Sequence, residues 1–214
     1  MRTDDLIAQL AAETSIVPPH AVERKVAVNL AIGGVAAFAL LVAFLGLRPD
    51  MGAAVMTVPF WMKFGFTGII GALGVAAACQ LARPGVSLRP GLWITAAAAF
   101  AAIAGMAIFE ILAAAPADRM ALWVGSSWKI CPVWILVISA PVLLAVTLPM
   151  RRFAPTRPVL TGMVLGMAAG GVGATIYGLY CQETSAAFLA TWYVLGMAMV
   201  GAIGAVIGPR VLRW

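Results

Sequence analysis

Apolar positions fall along the chain in six long runs, approximately Val26 to Leu47, Phe60 to Ala82, Gly91 to Ala114, Trp128 to Leu148, Val159 to Tyr180 and Ala186 to Gly208. Polar residues and helix breakers separate them: RPDMGA, RPGVSLRPG, APADRMALWVGSS, PMRRFAPTRP and QETS. Each run is near the ~20 residues that a helix needs to cross a bilayer at ~1.5 Å per residue. A lone strand in lipid would leave its backbone unpaired, and the runs are too evenly apolar for alternating barrel strands. The pattern predicts an all-α integral membrane protein with six transmembrane helices in one bundle.

Composition agrees: 63% of the 214 residues are hydrophobic and 10% charged, against roughly 25% charged in a soluble domain. Residues 26–214 are assigned to the six-helix domain, which leaves residues 1–25 as a polar N-terminal tail. That tail has no short apolar stretch with a small-residue cleavage site, so no removable signal peptide is expected.

The basic residues orient the bundle. With a cytoplasmic N-terminus, Arg2, Arg24, Lys25, Arg83, Arg89, Arg151, Arg152, Arg157, Arg210 and Arg213 lie inside, and Arg48, Lys63, Arg119 and Lys129 lie outside. Ten of fourteen on one side predicts that both termini are cytoplasmic. The net charge of +6 then reads as a topology signal and an attraction to anionic headgroups of the lipid bilayer, with no nucleic-acid partner implied.

Two cysteines stand at run edges. The short basic loop between the fourth and fifth runs makes them antiparallel neighbours. Cys131 lies 23 residues before Ala154 and Cys181 lies 27 after it, so both climb roughly 35 to 40 Å to the far, outer face. A disulfide is chemically permitted there if the Cα atoms come within ~7 Å. A soft metal is the other thiol ligand to consider, with Cys131 and Cys181 as the candidate metal ligands and Glu110 and Glu183 at similar depth. No CxxC-like spacing supports a resident metal, so no cofactor is expected beyond transient heavy-metal binding. Lys129, two residues before Cys131, is a candidate thiol activator or an interfacial anchor beside Trp128. Plain packing is the alternative for both cysteines, and it is the expected role of Cys79 near the opposite face.

Glu110 is either a functional carboxylate or a headgroup-level residue paired with Lys63 or Lys129. No run has a charge at its centre, which argues against an ion-coupled transporter. A small multi-pass transporter, or a metal-binding membrane protein, remains the rival class. No nucleophile and base stand together, so no enzyme is expected. Gly162, Gly166 and Gly170, Gly204 and Gly208, and Gly65, Gly68, Gly71 and Gly74 offer flat faces for helix contact or for a homodimer. Pro141 is expected to kink the fourth helix.

In the tail, Thr3 can cap a short helix whose first turn carries Asp4 and Asp5, and Pro18 and Pro19 stop it. Leu6, Ile7 and Leu10 form an apolar stripe on a helix too short to persist alone. Two acidic residues are repelled by anionic lipid, which favours a protein partner. His20 alone makes no zinc site.

The opening MRTDDLIAQLA, the six spans, and the single cysteines in WKICPVW and YCQET together resemble the NrsF-type membrane anti-sigma factors, negative regulators of sigma F and related extracytoplasmic-function sigma factors. The resemblance covers essentially the whole chain. It implies that the cytoplasmic tail, through Asp4, Asp5, Leu6, Ile7 and Leu10, holds a sigma factor at the bacterial inner membrane. It also implies that Cys131 and Cys181 are needed for release under heavy-metal or oxidative stress. The His-Cys-Cys cluster of zinc anti-sigma proteins is absent, so sensing falls to the membrane pair.

Overall fold

A computed structural model describes residues 20–212 apart from Pro84 and Ala154, together with Thr3 and Asp5. Among the described residues the chain is helical throughout, with no strand. Six helices are long and apolar enough to cross a membrane: Ala21–Phe44, Val58–Leu81, Pro90–Ala113, Cys131–Phe153, Pro158–Tyr177 and Ala186–Val211. Here they are the first to sixth spans.

Local chemistry sets their starts. Pro59, Pro90, Pro132 and Pro158 each occupy a first helical turn, where a missing N–H costs nothing and the fixed φ suits the helix. The fourth span therefore begins at Cys131, three residues later than its apolar run. Ser185 caps the sixth, its Oγ accepting from the Ala187 and Phe188 amides at 3.1 and 3.3 Å and satisfying two otherwise orphaned donors.

Two short helices, Met51–Ala54 and Arg119–Val124, lie where the polar pattern predicts only loops. The Arg119–Val124 helix is tied to the sixth span by two indole bonds, Trp123 Nε1 to Thr191 Oγ1 and Trp192 Nε1 to the Trp123 carbonyl, each 3.0 Å.

The fifth span is the axis of the bundle, packed against the second, fourth and sixth, while the first lies on the fourth. Its face toward the sixth is glycine. A Cβ on Gly162 would collide with the Gly204 carbonyl oxygen, one on Gly166 with the Val200 carbonyl oxygen, and one on Gly208 with the Pro158 carbonyl oxygen. The two backbones touch, as small residues permit in lipid, where dispersion between close backbones holds helices together.

The glycines of the second span divide. Gly71 and Gly74 meet Gly171 and Ala168 of the fifth, whereas Gly65 and Gly68 have open space beside them. A spacing of three precesses by roughly 60° per step, so four such glycines cannot share one face. The fourth span remains one helix through Pro141. The sixth contains a π-helical turn at Leu189–Tyr193; such bulges recur at functional sites.

Thr3 and Asp5 are helical and exposed. Asp4, Leu6, Ile7 and Leu10 lie outside the described residues.

Candidate functional site

The two buried basic side chains, Arg48 and Lys63, lie at one end of the bundle. Chain reversal between the fourth and fifth spans brings Cys131, the first residue of the fourth, level with Cys181, just past the fifth. Both are free thiols, 0% and 3% exposed, and they lie near each other. Cys79 is half-buried near the other end of the second span, far from the pair.

Two tyrosines close over the thiols. Tyr177 and Tyr193 are both 0% exposed, and their rings pack with centroids 5.8 Å apart. Neither hydroxyl has a hydrogen-bond partner. Both lie near the two sulfurs. The π-helical turn ends on Tyr193.

A lysine lies on the same cluster. Lys63, three residues inside the apolar second run, is 4% exposed and donates from Nζ to the Cys181 carbonyl at 3.0 Å. Its ammonium also lies over the Tyr193 ring, 5.5 Å from the centroid, a distance at which the ring quadrupole attracts a cation. Arg48 adds a longer bond to the same carbonyl, 3.4 Å from Nη1, and a backbone bond from its N–H to Leu179 at 3.1 Å. Its guanidinium forks onto Asp50 at 2.8 and 2.7 Å, which raises its own pKa and holds the Asp50 carboxyl below the usual carboxylate range.

Of the groups outside the spans, the Cys181 thiol is held well below the ordinary thiol range. The hydrogen bond with Cys131 is the largest cause; Lys63 adds to it, and burial opposes both.

Two carboxylates tie the cluster to its surroundings. Glu183 Oε1 accepts four bonds from the turn before Cys131: Ser126 N and Oγ at 2.8 and 2.7 Å, and Ser127 N and Oγ at 3.2 and 3.1 Å. Burial pushes the Glu183 carboxyl up, but these donors more than offset it and bring it below its ordinary value. Gly125 opens that turn at φ 60°, where a Cβ would meet both Phe188 and the other Glu183 oxygen. Glu110 Oε2, near the end of the third span, accepts from Ser185 Oγ at 2.7 Å and from the Ala187 amide at 3.0 Å. It therefore completes the cap of the sixth span.

The predicted residues thus sort themselves. Cys131, Cys181 and Glu183 come together, with Glu183 bonding the loop of one cysteine to the turn before the other. Glu110 pairs with neither Lys63 nor Lys129, because the orphan amides of the sixth span are nearer. Lys129 is exposed and lies over Trp128, 5.4 Å from the ring centroid; two positions from Cys131, it points elsewhere. The thiols' cation is Lys63. A lysine inside an apolar run is an intramembrane charge, which is the sequence signal for this role, although Lys63 also counts among the outer charges that orient the bundle. The tyrosines carried no sequence signal beyond shared depth.

A cavity of about 310 Å³ leads in from this end, walled by Leu45, Arg48, Ser126, Tyr180, Cys181 and Glu183 among others. Among the described residues no three His, Cys, Asp or Glu groups converge as a metal site.

Residues 10–214 match the model of the family described as "Negative regulator of sigma F". Two curated proteins align over their full length and that of this chain. One, named anti-sigma-F factor NrsF, from Caulobacter vibrioides (strain NA1000 / CB15N), is 42% identical over 215 residues. The other, named probable anti-sigma-F factor NrsF, from Azospira oryzae (strain ATCC BAA-33 / DSM 13638 / PS), is 38% identical over 216 residues. No solved structure matches the chain. With six membrane-length helices and a family match over all but the first nine residues, the chain belongs to the negative regulators of sigma F.

Proposed function

We propose that this protein is a membrane anti-sigma factor that holds an extracytoplasmic-function sigma factor through residues 1–25 and releases it when an oxidant or a thiophilic metal acts on Cys131 and Cys181. The observation that carries the reading is the meeting of these two thiols at one end of the bundle. Family membership supports the sigma-factor partner. The excess of Lys and Arg at the opposite end supports cytoplasmic termini in a bacterial inner membrane, with the cysteine end outside.

The mechanism is a shift between two bundle arrangements. Joining Cys131 to Cys181, or bridging them by a metal, restrains the start of the fourth span against the loop leaving the fifth. The π-helical turn beside Tyr193 is the segment best able to take up the change. The sixth span, locked backbone to backbone on the fifth, carries it to the far end. There Asp4, Asp5, Leu6, Ile7 and Leu10 lose their hold on the sigma factor. Glu110 and Glu183 take the part of fixed braces, and Lys129 that of an interfacial anchor.

Copurification of a sigma factor with the full-length chain tests the reading, with Asp4→Ala, Asp5→Ala and Leu6→Ala combined as the control. The wild type retains a sigma factor and the triple variant loses at least nine-tenths of it. Equal recovery from both, or none from either, contradicts the proposal.

A further inference from the structure

The two thiols are not equivalent. Cys181 lines the cavity of about 310 Å³ and Cys131 is not among its lining residues. Lys63 bonds the Cys181 carbonyl at 3.0 Å and makes no salt bridge among the described residues, where the two ion pairs are Arg48 with Asp50 and Arg83 with Glu23. A buried ammonium held only by a carbonyl and an aromatic face lacks a full counter-charge. Of the groups able to supply one by losing a proton, the Cys181 thiol acts on Lys63 most strongly, ahead of Cys131, and its backbone is the one Lys63 bonds.

The charged groups facing the pair are Lys63 from the second span, Arg48 from the loop before it, and Glu183 from the cysteine's own loop. Tyr177 and Tyr193 face it as neutral hydroxyls. Arg48 is neutralised by Asp50, and Glu183 is spent on the two serines, so the cavity wall has no free charge to draw an ion. A buried ammonium beside both sulfurs also opposes a divalent cation between them.

We propose that Lys63 is a positioning residue that makes Cys181 the attacking sulfur and Cys131 the resolving one, and that the reactant is a small uncharged peroxide. This rests on the sensing role given to the pair above and selects oxidant over metal within it. In the first step the Cys181 thiolate attacks one peroxide oxygen. The S–O bond forms, the O–O bond breaks, two electrons pass from sulfur to oxygen, and hydroxide leaves to be protonated to water. The Cys131 sulfur then displaces the sulfenic oxygen of Cys181. The S–S bond forms, the S–O bond breaks, and the thiol proton departs with the oxygen as a second water.

The test uses purified full-length protein in lipid nanodiscs with hydrogen peroxide as the probe. In the Cys131→Ser variant a sulfenate-trapping diketone labels Cys181. In the Cys181→Ser variant Cys131 is labelled at least 10-fold more slowly. Lys63→Met slows peroxide-driven disulfide formation at pH 7 at least 10-fold and moves the midpoint of the Cys181 alkylation profile up toward the ordinary thiol value of about 8.5. Lys63→Arg restores most of the rate. Unchanged rate and midpoint in Lys63→Met overturn the proposal, as does equal labelling of the two cysteines, which decides the matter even if the lysine variants fail to fold. Because thiol chemistry is read on the isolated chain, the result is independent of whether a sigma factor is held.

Discussion

Helices are held together in two ways in this molecule. Along the seam between the fifth and sixth spans the contact is backbone on backbone across Gly162, Gly166, Gly204 and Gly208. At the cysteine end single carboxylates do the holding: Glu110 ties the third span to the cap of the sixth, and Glu183 ties the Cys181 loop to the turn before Cys131. The fifth span is 61% buried across its most apolar stretch and the third only 6%, although both are apolar enough to cross a membrane. Apolarity tells which segments can enter lipid; small residues and caps decide which neighbour each finds there. A glycine seam responds to volume and is indifferent to protons and oxidants. The Glu183 brace responds to protons, and it ties the loop of one thiol to the turn before the other.

The largest effect expected is at the seam. Gly162→Leu or Gly204→Leu drives a side chain into backbone and costs on the order of 3 kcal/mol, read as a lowered thermal midpoint in detergent. Gly65→Leu, with open space beside it, changes stability by less than about 0.5 kcal/mol. If the two substitutions behave alike, the seam is not what holds the pair.

Next comes Glu110→Ala, which leaves Ser185 Oγ without its acceptor and weakens the cap at Ala187 at a cost of roughly 1–3 kcal/mol. Amide exchange at Ala187 and Phe188 accelerates, and the third span, which has few other contacts, loosens with it. Unchanged exchange would place the anchorage of that span elsewhere.

A smaller effect is expected at Glu183. Its carboxyl lies below the ordinary value in the folded chain, so the brace is fully present above the unfolded pKa of about 4.3 and is lost as pH falls through the lowered folded value. The thermal midpoint of the wild type should drop on acidification through that window more than that of Glu183→Gln. Smallest of all is Ile94→Ala on the third span, 67% exposed and turned outward, within about 0.5 kcal/mol of wild type.

Much of this was legible in the sequence. All six spans sit within a few residues of their apolar runs, and depth counting brought Cys131 level with Cys181, because helix rise and a short loop fix depth. Azimuth is another matter. Which way Lys63, Lys129 or Glu110 points depends on which span lies beside it, and the apolar periodicity of a lipid-facing helix says little about that. So spacing along the chain points to Lys129 as the thiols' cation, and the fold puts Lys63 there. The π-helical turn at LATWY was equally hidden, since nothing in those five residues breaks a helix. It fits a segment constrained at one end by the Ser185 cap and further on by the glycine seam.

The most direct test follows a sigma factor held on membranes that carry the wild-type chain, Cys131→Ser or Cys181→Ser, before and after hydrogen peroxide. The account predicts that peroxide releases the sigma factor from the wild type, with a Cys131–Cys181 disulfide formed in step, and that both serine variants keep it bound. Release from the serine variants at the wild-type rate, or a disulfide formed in the wild type with the sigma factor still held, would contradict it.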